Sequence, residues 1–198
     1  IPTEKYLTER VDFATFSGHK FHGVRGVGFV YIKSGKKITP LLTGGGQEHD
    51  YRSTTENVAG IAATAKALRL SMEKLDVFTS KTGQMKAVIR QALLDYPDIF
   101  VFSDEEDFAP HILTFGIKGV RGEVIVHAFE DYDIFISTTS ACSSKAGKPA
   151  GTLIAMGVDK DKAQSAVRLS LDLENDMSQV EQFLTKLKLI YNQTRKVR

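Results

Sequence analysis

The sequence predicts an α/β fold, because segments typical of strands alternate with segments typical of helices along its 198 residues. Short aromatic and β-branched segments bounded by glycine or charge, such as residues 27–32, favour strands. Longer segments with apolar residues at helical spacing, such as residues 176–191, favour helices. A hydrophobic content of 42% allows the chain to bury one sizeable core or two small ones.

The first part of the chain predicts two strands, a loop and a long helix. The strands are expected at residues 11–17 and 27–32. The glycines from Gly44 to Gly46 predict a loop, which is either a flexible connection or a close approach to a ligand or to another backbone. Ser53 and Glu56 have capping-box spacing and predict the start of an alanine-rich helix that runs to about Lys74.

The rest of the chain predicts a compact alternation of helices and strands. Strands are expected at residues 99–103, 111–117, 133–137 and 166–171. One helix is expected at residues 82–95, before Pro97, and another at residues 121–132. The apolar face of that second helix is expected to comprise Val124, Ile125, Ala128 and Phe129. The last helix is expected to begin at Asp176, with Gln179 at capping-box spacing. Its buried stripe is expected to comprise Val180, Phe183, Leu184, Leu187, Ile190 and Tyr191.

Two domains are expected, with a boundary in or near the alanine-rich helix. Residues 1–60 are interpreted as the truncated end of a larger domain, because glycine-rich loops dominate there. Residues 61–198 are interpreted as a linking helix followed by a small α/β domain. The chain opens Ile-Pro-Thr without an initiator methionine, and its first apolar strand has no earlier partner in sequence. We therefore expect a fragment of a longer protein.

Charge and composition argue against nucleic-acid and membrane partners. The 26 basic and 24 acidic residues leave a formal charge of +2, which gives no strong attraction to nucleic acid or to acidic lipid. No apolar run approaches the roughly 20 residues that span a bilayer, and the start of the chain does not resemble a signal peptide. A single cysteine agrees with a reducing compartment, so a cytoplasmic location is expected.

Lys20 is the first candidate for chemistry, because it follows a predicted buried strand. A lysine forms a Schiff base with a carbonyl only when it can lose its proton, which requires partial burial or neighbouring positive charge. Ser17, His19 and the backbone amide of Gly18 would supply donors for a phosphate at the same strand end. An exposed, inert lysine is the ordinary alternative. His19 and His22 have the spacing of a metal pair, but no third ligand is evident.

Two side chains in the second half of the chain are also candidates. Cys142 lies among serines and glycines, with Lys145 three residues later, which is typical of an accessible and activated thiol. A lone cysteine is otherwise a small buried hydrophobe. Arg168 lies within an apolar strand, where a buried guanidinium requires an anion. That anion is either a ligand carboxylate or one of the 24 acidic residues of the chain.

Four segments together resemble the C-terminal half of the NifS-like cysteine desulfurases, which are pyridoxal-phosphate enzymes of fold type I. The segments are FSGHKFHGVRGVGFVYI, LLTGGGQEHDYRSTTENVAGI, STTSACSSKAGKPAGTL and AVRLSL, in the order and at about the spacing of the family. The resemblance covers essentially the whole chain. It implies that residues 1–60 are the edge of the large-domain sheet, with the cofactor lysine and a dimer loop. Residues 61–198 would then contain the small C-terminal α/β domain.

The resemblance implies a cofactor site in the first part of the chain. Lys20 would hold pyridoxal phosphate covalently and move protons on the substrate. Ser17 and His19 would bind the cofactor phosphate, and Thr55 would reach the phosphate in the neighbouring subunit of a homodimer. This chain has Thr54 where the family commonly has glycine, which implies a different local turn.

The resemblance implies the substrate chemistry in the second part. Arg168 would pair with the α-carboxylate of L-cysteine, and Cys142 would take the sulfur as a persulfide while L-alanine is formed. Cys142 would lie on a mobile loop. Its setting, SACSS with Pro149 downstream, resembles the long-loop subgroup of the family rather than the short-loop one. The sulfur would pass to an acceptor protein in iron–sulfur assembly or tRNA thiolation.

The sequence leaves more than one function open. The family's first half supplies a histidine on the cofactor ring, an aspartate at the pyridine nitrogen and much of the phosphate cup, so this chain alone is expected to bind the cofactor poorly and to be inactive. The intact protein would be a cysteine desulfurase. Alternatively, the chain is a non-catalytic module for dimerisation or acceptor docking. A related pyridoxal enzyme, such as a selenocysteine lyase, is a third hypothesis.

Overall fold

The computed structural model describes residues 7–103, 108–138 and 151–196, which form an α/β protein as predicted. The chain divides into two compact units, Ile1–Asp76 and Val77–Arg198, called the first and second unit below. The domain division predicted at residues 60 and 61 stays a prediction. None of the helices in these described ranges is long and apolar enough to cross a membrane.

The first unit contains a two-stranded sheet and a long helix. Strand β1 (Phe13–Ser17) pairs antiparallel with β2 (Gly28–Ile32), so that Ser17 lies opposite Gly28. The rings of Phe16 and Phe29 stack across the two strands with centroids 4.7 Å apart. Both predicted strands are confirmed. Helix α1 (Val58–Glu73) follows the glycine-rich loop, and its predicted end near Lys74 is also confirmed.

The start of α1 differs from the prediction. Its N-cap is Asn57, whose side-chain oxygen accepts a hydrogen bond from the Gly60 amide at 3.0 Å. The predicted capping box of Ser53 and Glu56 is therefore wrong. Asparagine is as good an N-cap as serine, and Asn57 directly precedes the first helical residue. The Ser53 amide instead donates to the Leu42 carbonyl at 3.1 Å, within the preceding loop.

The second unit is built on a four-stranded antiparallel sheet. After α2 (Leu75–Leu94), which begins at the end of the first unit, its elements in chain order are β3 (Ile99–Val101), β4 (Ile112–Ile117), α3 (Gly122–Glu130), β5 (Ser137–Thr138), α4 (Gly151–Ala155), α5 (Lys160–Gln164), β6 (Val167–Ser170) and α6 (Met177–Lys196). The strand order is β3-β4-β6-β5, so β6 lies between β4 and β5. Phe115 of β4 lies opposite Val167 of β6.

One face of this sheet and the helices α2, α3 and α6 form the core of the second unit. Leu113, Phe115 and Ile117 of β4 point into it, because side chains alternate along a strand. The rings of Phe129 and Phe183 stack at 4.9 Å within the core. The buried residues of the cluster are Met85, Ile89, Leu93, Ile99, Leu113, Phe115, Ile117, Ile125, Phe129, Val167, Leu169, Leu171, Val180, Phe183, Leu187, Ile190 and Tyr191.

Helix α6 is the element that the sequence predicted best. The Gln179 amide donates to the Asp176 carboxylate at 3.1 Å, and the Asp176 amide donates to the Gln179 side chain at 3.2 Å. This reciprocal pair confirms the predicted capping box. The predicted stripe is confirmed as well, since Leu184 is partly buried and the other five side chains are buried.

Three predicted elements of the second unit differ in the structure. Helix α2 begins at Leu75 rather than at residue 82, because the polar residues between are tolerated on its surface. On α3, Ile125 and Phe129 face the core, one helical turn apart, so Val124 points outward and is 53% exposed. The strand predicted at residues 133–137 is reduced to Ser137–Thr138. Ile134 precedes it and packs on the core without a strand partner.

Candidate active site

The candidate active-site lysine lies in a tight turn at the end of a strand. Strand β1 ends at Ser17, and the chain continues as a 3-10 turn, Gly18–Phe21, which contains Lys20 and is called the Lys20 turn below. The turn closes at His22, whose φ of 66° is left-handed and whose amide donates to the Gly18 carbonyl. These backbone bonds fix the position from which the Lys20 side chain leaves the strand end.

The turn requires a glycine at position 18. The Gly18 residue is buried, and its amide donates to the Val27 carbonyl at 2.9 Å. A Cβ at this position would lie 2.8 Å from that oxygen and 3.1 Å from Thr64 of α1, so only glycine permits this approach. The expectation that the Gly18 amide donates to a phosphate is wrong, because the junction of strand and turn already uses it.

Ser17 at the end of β1 and His19 and Lys20 on the turn are exposed. The buried strand predicted before Lys20 is therefore wrong, since no residue of β1 is buried, and the partial burial expected of a reactive lysine is not met in the described part of the chain. In the ranges that the structure describes, none of the three side chains has a hydrogen-bond partner. The set fits pyridoxal phosphate, because a primary amine reacts with an aldehyde, while a hydroxyl and an imidazole donate to phosphate oxygens. Three of the predicted site residues thus lie within four positions of the chain, at the end of β1 and in the turn that follows it.

Thr55 lies apart from the Lys20 turn along the chain, in the loop between β2 and α1. It is exposed and precedes the helix cap Asn57 by two residues. The same loop contains three successive residues with left-handed backbone, Glu48, His49 and Asp50, whose φ values are 52°, 55° and 66°. Each such residue costs about 1–2 kcal/mol, so the loop has a specific rather than a random shape. The predicted contact of Thr55 with a neighbouring subunit stays a prediction.

Arg168 lies on β6 in the middle of the second unit's sheet. Its neighbours Val167 and Leu169 point into the core, so Arg168 lies on the opposite face. Thr114 of β4 and Ser137 of β5 lie directly beside it in the register. The guanidinium is half-buried, and its Nε is shielded from solvent without a hydrogen-bond partner in the described part of the chain.

Both predicted partners of Arg168, a ligand carboxylate and an acidic residue of the chain, stay open, since the acidic residues 104–107 lie outside the described residues. No carboxylate of the described residues pairs with it. A buried guanidinium donor without an acceptor is costly, and a carboxylate from a ligand would satisfy it through the planar fork of the guanidinium. The substrate-carboxylate role stays a prediction, and the open Nε is consistent with it.

The predicted nucleophile Cys142 lies outside the described residues, as do Lys145 and Pro149. The described chain ends before it with β5 at Thr138 and resumes with α4 at Gly151. The reactive role of Cys142 therefore stays a prediction from the sequence.

Sequence reasoning missed the residues that hold the Lys20 turn in place. Val27 and Thr64 contact Gly18, although they lie 9 and 46 positions further along the chain. The available signal was the glycine itself, because a glycine between a strand and a histidine–lysine pair indicates a close backbone approach. Nothing local identifies the groups that it approaches.

Comparison with known proteins identifies a family for this chain. The model of the class-V aminotransferase family matches residues 8–183. The chain is 46% identical over 195 residues to a NifS/IcsS protein homolog of Lactobacillus delbrueckii subsp. bulgaricus, covering 98% of this chain and 51% of that protein. It is 34% identical over 190 residues to the cysteine desulfurase IscS of Clostridium botulinum, covering 94% of this chain and 48% of that protein.

Solved structures agree with the sequence comparison. A NifS-like protein superposes with a TM-score of 0.80 at 34% identity, covering 92% of this chain and 47% of that one. This similarity confirms the predicted fold. The chain spans about half the length of the relatives that it matches. Since the family model covers most of its residues, the chain belongs to the class-V aminotransferase family.

Proposed function

We propose that this chain contributes the lysine, the arginine and the cysteine of a pyridoxal-phosphate-dependent cysteine desulfurase. The observation that carries the proposal is the Lys20 turn, which presents an exposed amine directly after two side chains that can donate hydrogen bonds to a phosphate, Ser17 at the strand end and His19 in the turn. The name of the Clostridium botulinum relative, cysteine desulfurase, supports the choice of reaction within the family. The chemistry is the conversion of L-cysteine to L-alanine, with transfer of the sulfur to the enzyme.

Lys20 has two functions in this proposal. Its amine would hold the cofactor by its aldehyde group, and once the amine of the substrate takes its place, the freed Lys20 amine would take and return a proton at the substrate Cα. Ser17 and His19 donate hydrogen bonds to the phosphate and so hold the cofactor beside Lys20. Bound pyridoxal phosphate supplies an electron sink that weakens the bonds around the substrate Cα and Cβ.

Arg168 and Cys142 act on the substrate. The Arg168 guanidinium binds the α-carboxylate, which satisfies its open Nε donor. The Cys142 thiolate forms a sulfur–sulfur bond with the substrate thiol as the carbon–sulfur bond breaks. The electron pair of the broken bond stays on the substrate carbon, which takes a proton and becomes the methyl group of alanine. Cys142 keeps the sulfur as a persulfide until an acceptor takes it.

The partners belong to the same proposal. Thr55 would reach the cofactor phosphate of a second copy, so the active protein would be a homodimer. The persulfide of Cys142 would be delivered to an acceptor protein that serves iron–sulfur assembly or tRNA thiolation. Small residues around Cys142, such as Ser143 and Ser144, suit a segment that must visit both the substrate and the acceptor.

The test is a chimera in which this chain replaces the matching part of the Lactobacillus relative. Given L-cysteine and pyridoxal phosphate, we expect alanine as a product and a mass increase of one sulfur atom on Cys142. Lys20→Ala should lower alanine production by at least about 100-fold, because it removes the proton-transferring amine. Lys37→Ala is the matched control, since Lys37 is an exposed lysine of the same unit.

Three results would overturn parts of the proposal. Alanine production by the Lys20→Ala chimera at the control rate would remove Lys20 from the site. Production that survives Cys142→Ala would remove the persulfide step. A chimera that forms dimers but makes no alanine would instead support the non-catalytic alternative, in which the chain serves dimerisation or acceptor docking.

A further inference from the structure

The Lys20 turn rests on one face of helix α1. Thr64 and Ser71 contact opposite ends of the turn, and they lie seven positions apart on the helix, which is about two turns. Thr64 packs against Gly18, the first residue of the turn. Ser71 is bonded to Phe21, the last residue of the turn and the one that follows Lys20.

The two hydroxyl groups differ in what they do. The Ser71 hydroxyl donates a hydrogen bond to the Phe21 carbonyl at 3.2 Å, across 50 positions of the chain. Thr64 is only 5% exposed, and its hydroxyl has no partner in the described part of the chain. Its Oγ1 and Cγ2 would both lie 3.1 Å from a Cβ at Gly18, so Thr64 contributes van der Waals packing to this contact rather than a hydrogen bond.

The Phe21 carbonyl is the point where the turn would loosen first. The Gly18 carbonyl accepts from the His22 amide and also from the Gly23 amide, the latter at 2.9 Å, so the first residue of the turn is held twice. A 3-10 turn leaves the carbonyls of its last residues without intrahelical donors. Ser71 supplies such a donor from α1.

We propose that Ser71 is a positioning residue for Lys20, an inference that rests on the proposed function. Its hydroxyl fixes the carbonyl at which the turn ends, and this sets the direction in which the Lys20 side chain leaves the strand end. The amine is thereby kept within reach of a cofactor whose phosphate is held by Ser17 and His19. Ser71 touches neither cofactor nor substrate and acts through Lys20.

The test compares two aldehydes on the chimera with the Lactobacillus relative, because this chain alone is expected to bind the cofactor poorly. The aldehydes are pyridoxal phosphate and pyridoxal, which lacks the phosphate. Borohydride reduction followed by peptide mass spectrometry gives the extent of labelling at Lys20. The phosphate advantage, meaning the ratio of the two labelling rates, measures how well Lys20 is placed relative to the phosphate donors. Ser71→Ala should lower this advantage about five- to tenfold, the usual effect of losing one hydrogen bond, and should leave labelling by pyridoxal unchanged.

Two further variants separate positioning from a general structural effect. Ser71→Thr keeps the hydroxyl and should restore the phosphate advantage. Thr64→Val keeps the shape under Gly18 and removes only the unpaired hydroxyl, so it should leave the advantage unchanged. Hydrogen exchange at the Gly23 amide should quicken in Ser71→Ala and stay at the original rate in Thr64→Val.

The outcomes distinguish this inference from the proposed function. A phosphate advantage that survives Ser71→Ala, or unchanged exchange at Gly23, overturns the inference alone. An equal loss in Thr64→Val also overturns it, since helix packing would then place Lys20. If the chimera without these substitutions shows no phosphate advantage at Lys20, the cofactor role of Lys20 fails, and the proposed function fails with it.

Discussion

The two units bury apolar surface very differently. The second unit has a continuous core of large apolar side chains between its sheet and three helices. In the described part of the first unit, only Gly18, Gly60 and Thr64 are buried, and no large apolar side chain is among them. Leu41 of the first unit is 95% exposed. The second unit is thus stabilised by its own core, whereas the first is held by backbone hydrogen bonds and close glycine contacts.

The predicted site residues lie in both units. The Lys20 turn lies in the unit without an apolar core, and Arg168 lies on a strand that the core of the second unit fixes. Burial of apolar surface is the main stabilising contribution in folding. We therefore expect the geometry around Lys20 to respond to small local changes, and the position of Arg168 to respond only to changes that damage the core.

The largest expected effect comes from truncating a ring in the second unit. Phe115 is 0% exposed and meets Phe183 edge-on, with centroids 6.2 Å apart. Phe115→Ala should lower the free energy of unfolding by about 3–5 kcal/mol, because it removes buried surface and leaves a cavity. Urea denaturation followed by circular dichroism measures the change.

The matched substitution in the first unit is Phe29→Ala. Phe29 is 40% exposed, and its main ring contact is the stack on Phe16. The loss should be about 0.5–1.5 kcal/mol, the usual contribution of one aromatic pair. Equal losses for Phe115→Ala and Phe29→Ala would break the comparison, because the first unit would then depend on buried aromatic surface as the second does.

An effect that is smaller than that of Phe115→Ala and larger than that of Phe29→Ala concerns the Lys20 turn. In Gly18→Ala, the new methyl group would lie 2.8 Å from the Val27 carbonyl oxygen, which belongs to the backbone and cannot rotate away. Overpacking of this kind costs about 1–3 kcal/mol. We expect the hydrogen bond from the amide of residue 18 to the Val27 carbonyl to weaken. Faster hydrogen exchange of that amide would show this. Gly151→Ala is the control, since a Cβ there meets nothing within 4 Å. Unchanged exchange in Gly18→Ala would show that the first unit adapts more readily than its contacts suggest.

The fold was predictable wherever a local pattern determined the structure. The capping box and apolar stripe of α6 are both present, because helical spacing and cap chemistry act within a few residues. The start of α1 was missed because Ser53 and Asn57 are both good caps, and only the path of the preceding loop selects Asn57. Periodicity also failed for Val124, since a nine-residue helix does not specify which of two adjacent apolar positions faces the core.

The candidate site was predictable in its residue types and not in its supports. Ser17, His19 and Lys20 are adjacent in sequence, so their grouping follows from the chain itself. Ser71 lies 50 positions from Phe21, and its hydrogen bond depends on how α1 packs on the turn. Long-range contacts of this kind leave no local signal. The same reason applies to Thr114 and Ser137, which the strand register places beside Arg168.

The smallest expected effect is a dependence of stability on pH that originates in the second unit. His111 is half-buried there against the Phe78 ring, with centroids 5.0 Å apart, whereas His19 and His49 of the first unit are exposed. Burial lowers the pKa of His111 below its ordinary value of 6.5, while the nearby Asp172 raises it and Lys86 lowers it.

The sign of this effect follows from which state takes up the proton first. Because the pKa of His111 is lower in the folded protein, the unfolded chain binds the proton first as pH falls. The contribution of His111 to the free energy of unfolding is therefore fully present above the ordinary pKa of 6.5 and is lost as pH falls from there toward the lowered pKa. Between about pH 7.5 and pH 5.5, His111→Gln should flatten the fall of the unfolding free energy with decreasing pH. Asp172→Asn should steepen it, since removing that charge lowers the pKa of His111 further. Urea denaturation at a series of pH values measures both slopes, and a profile that His111→Gln leaves unchanged would place the pH dependence outside this histidine.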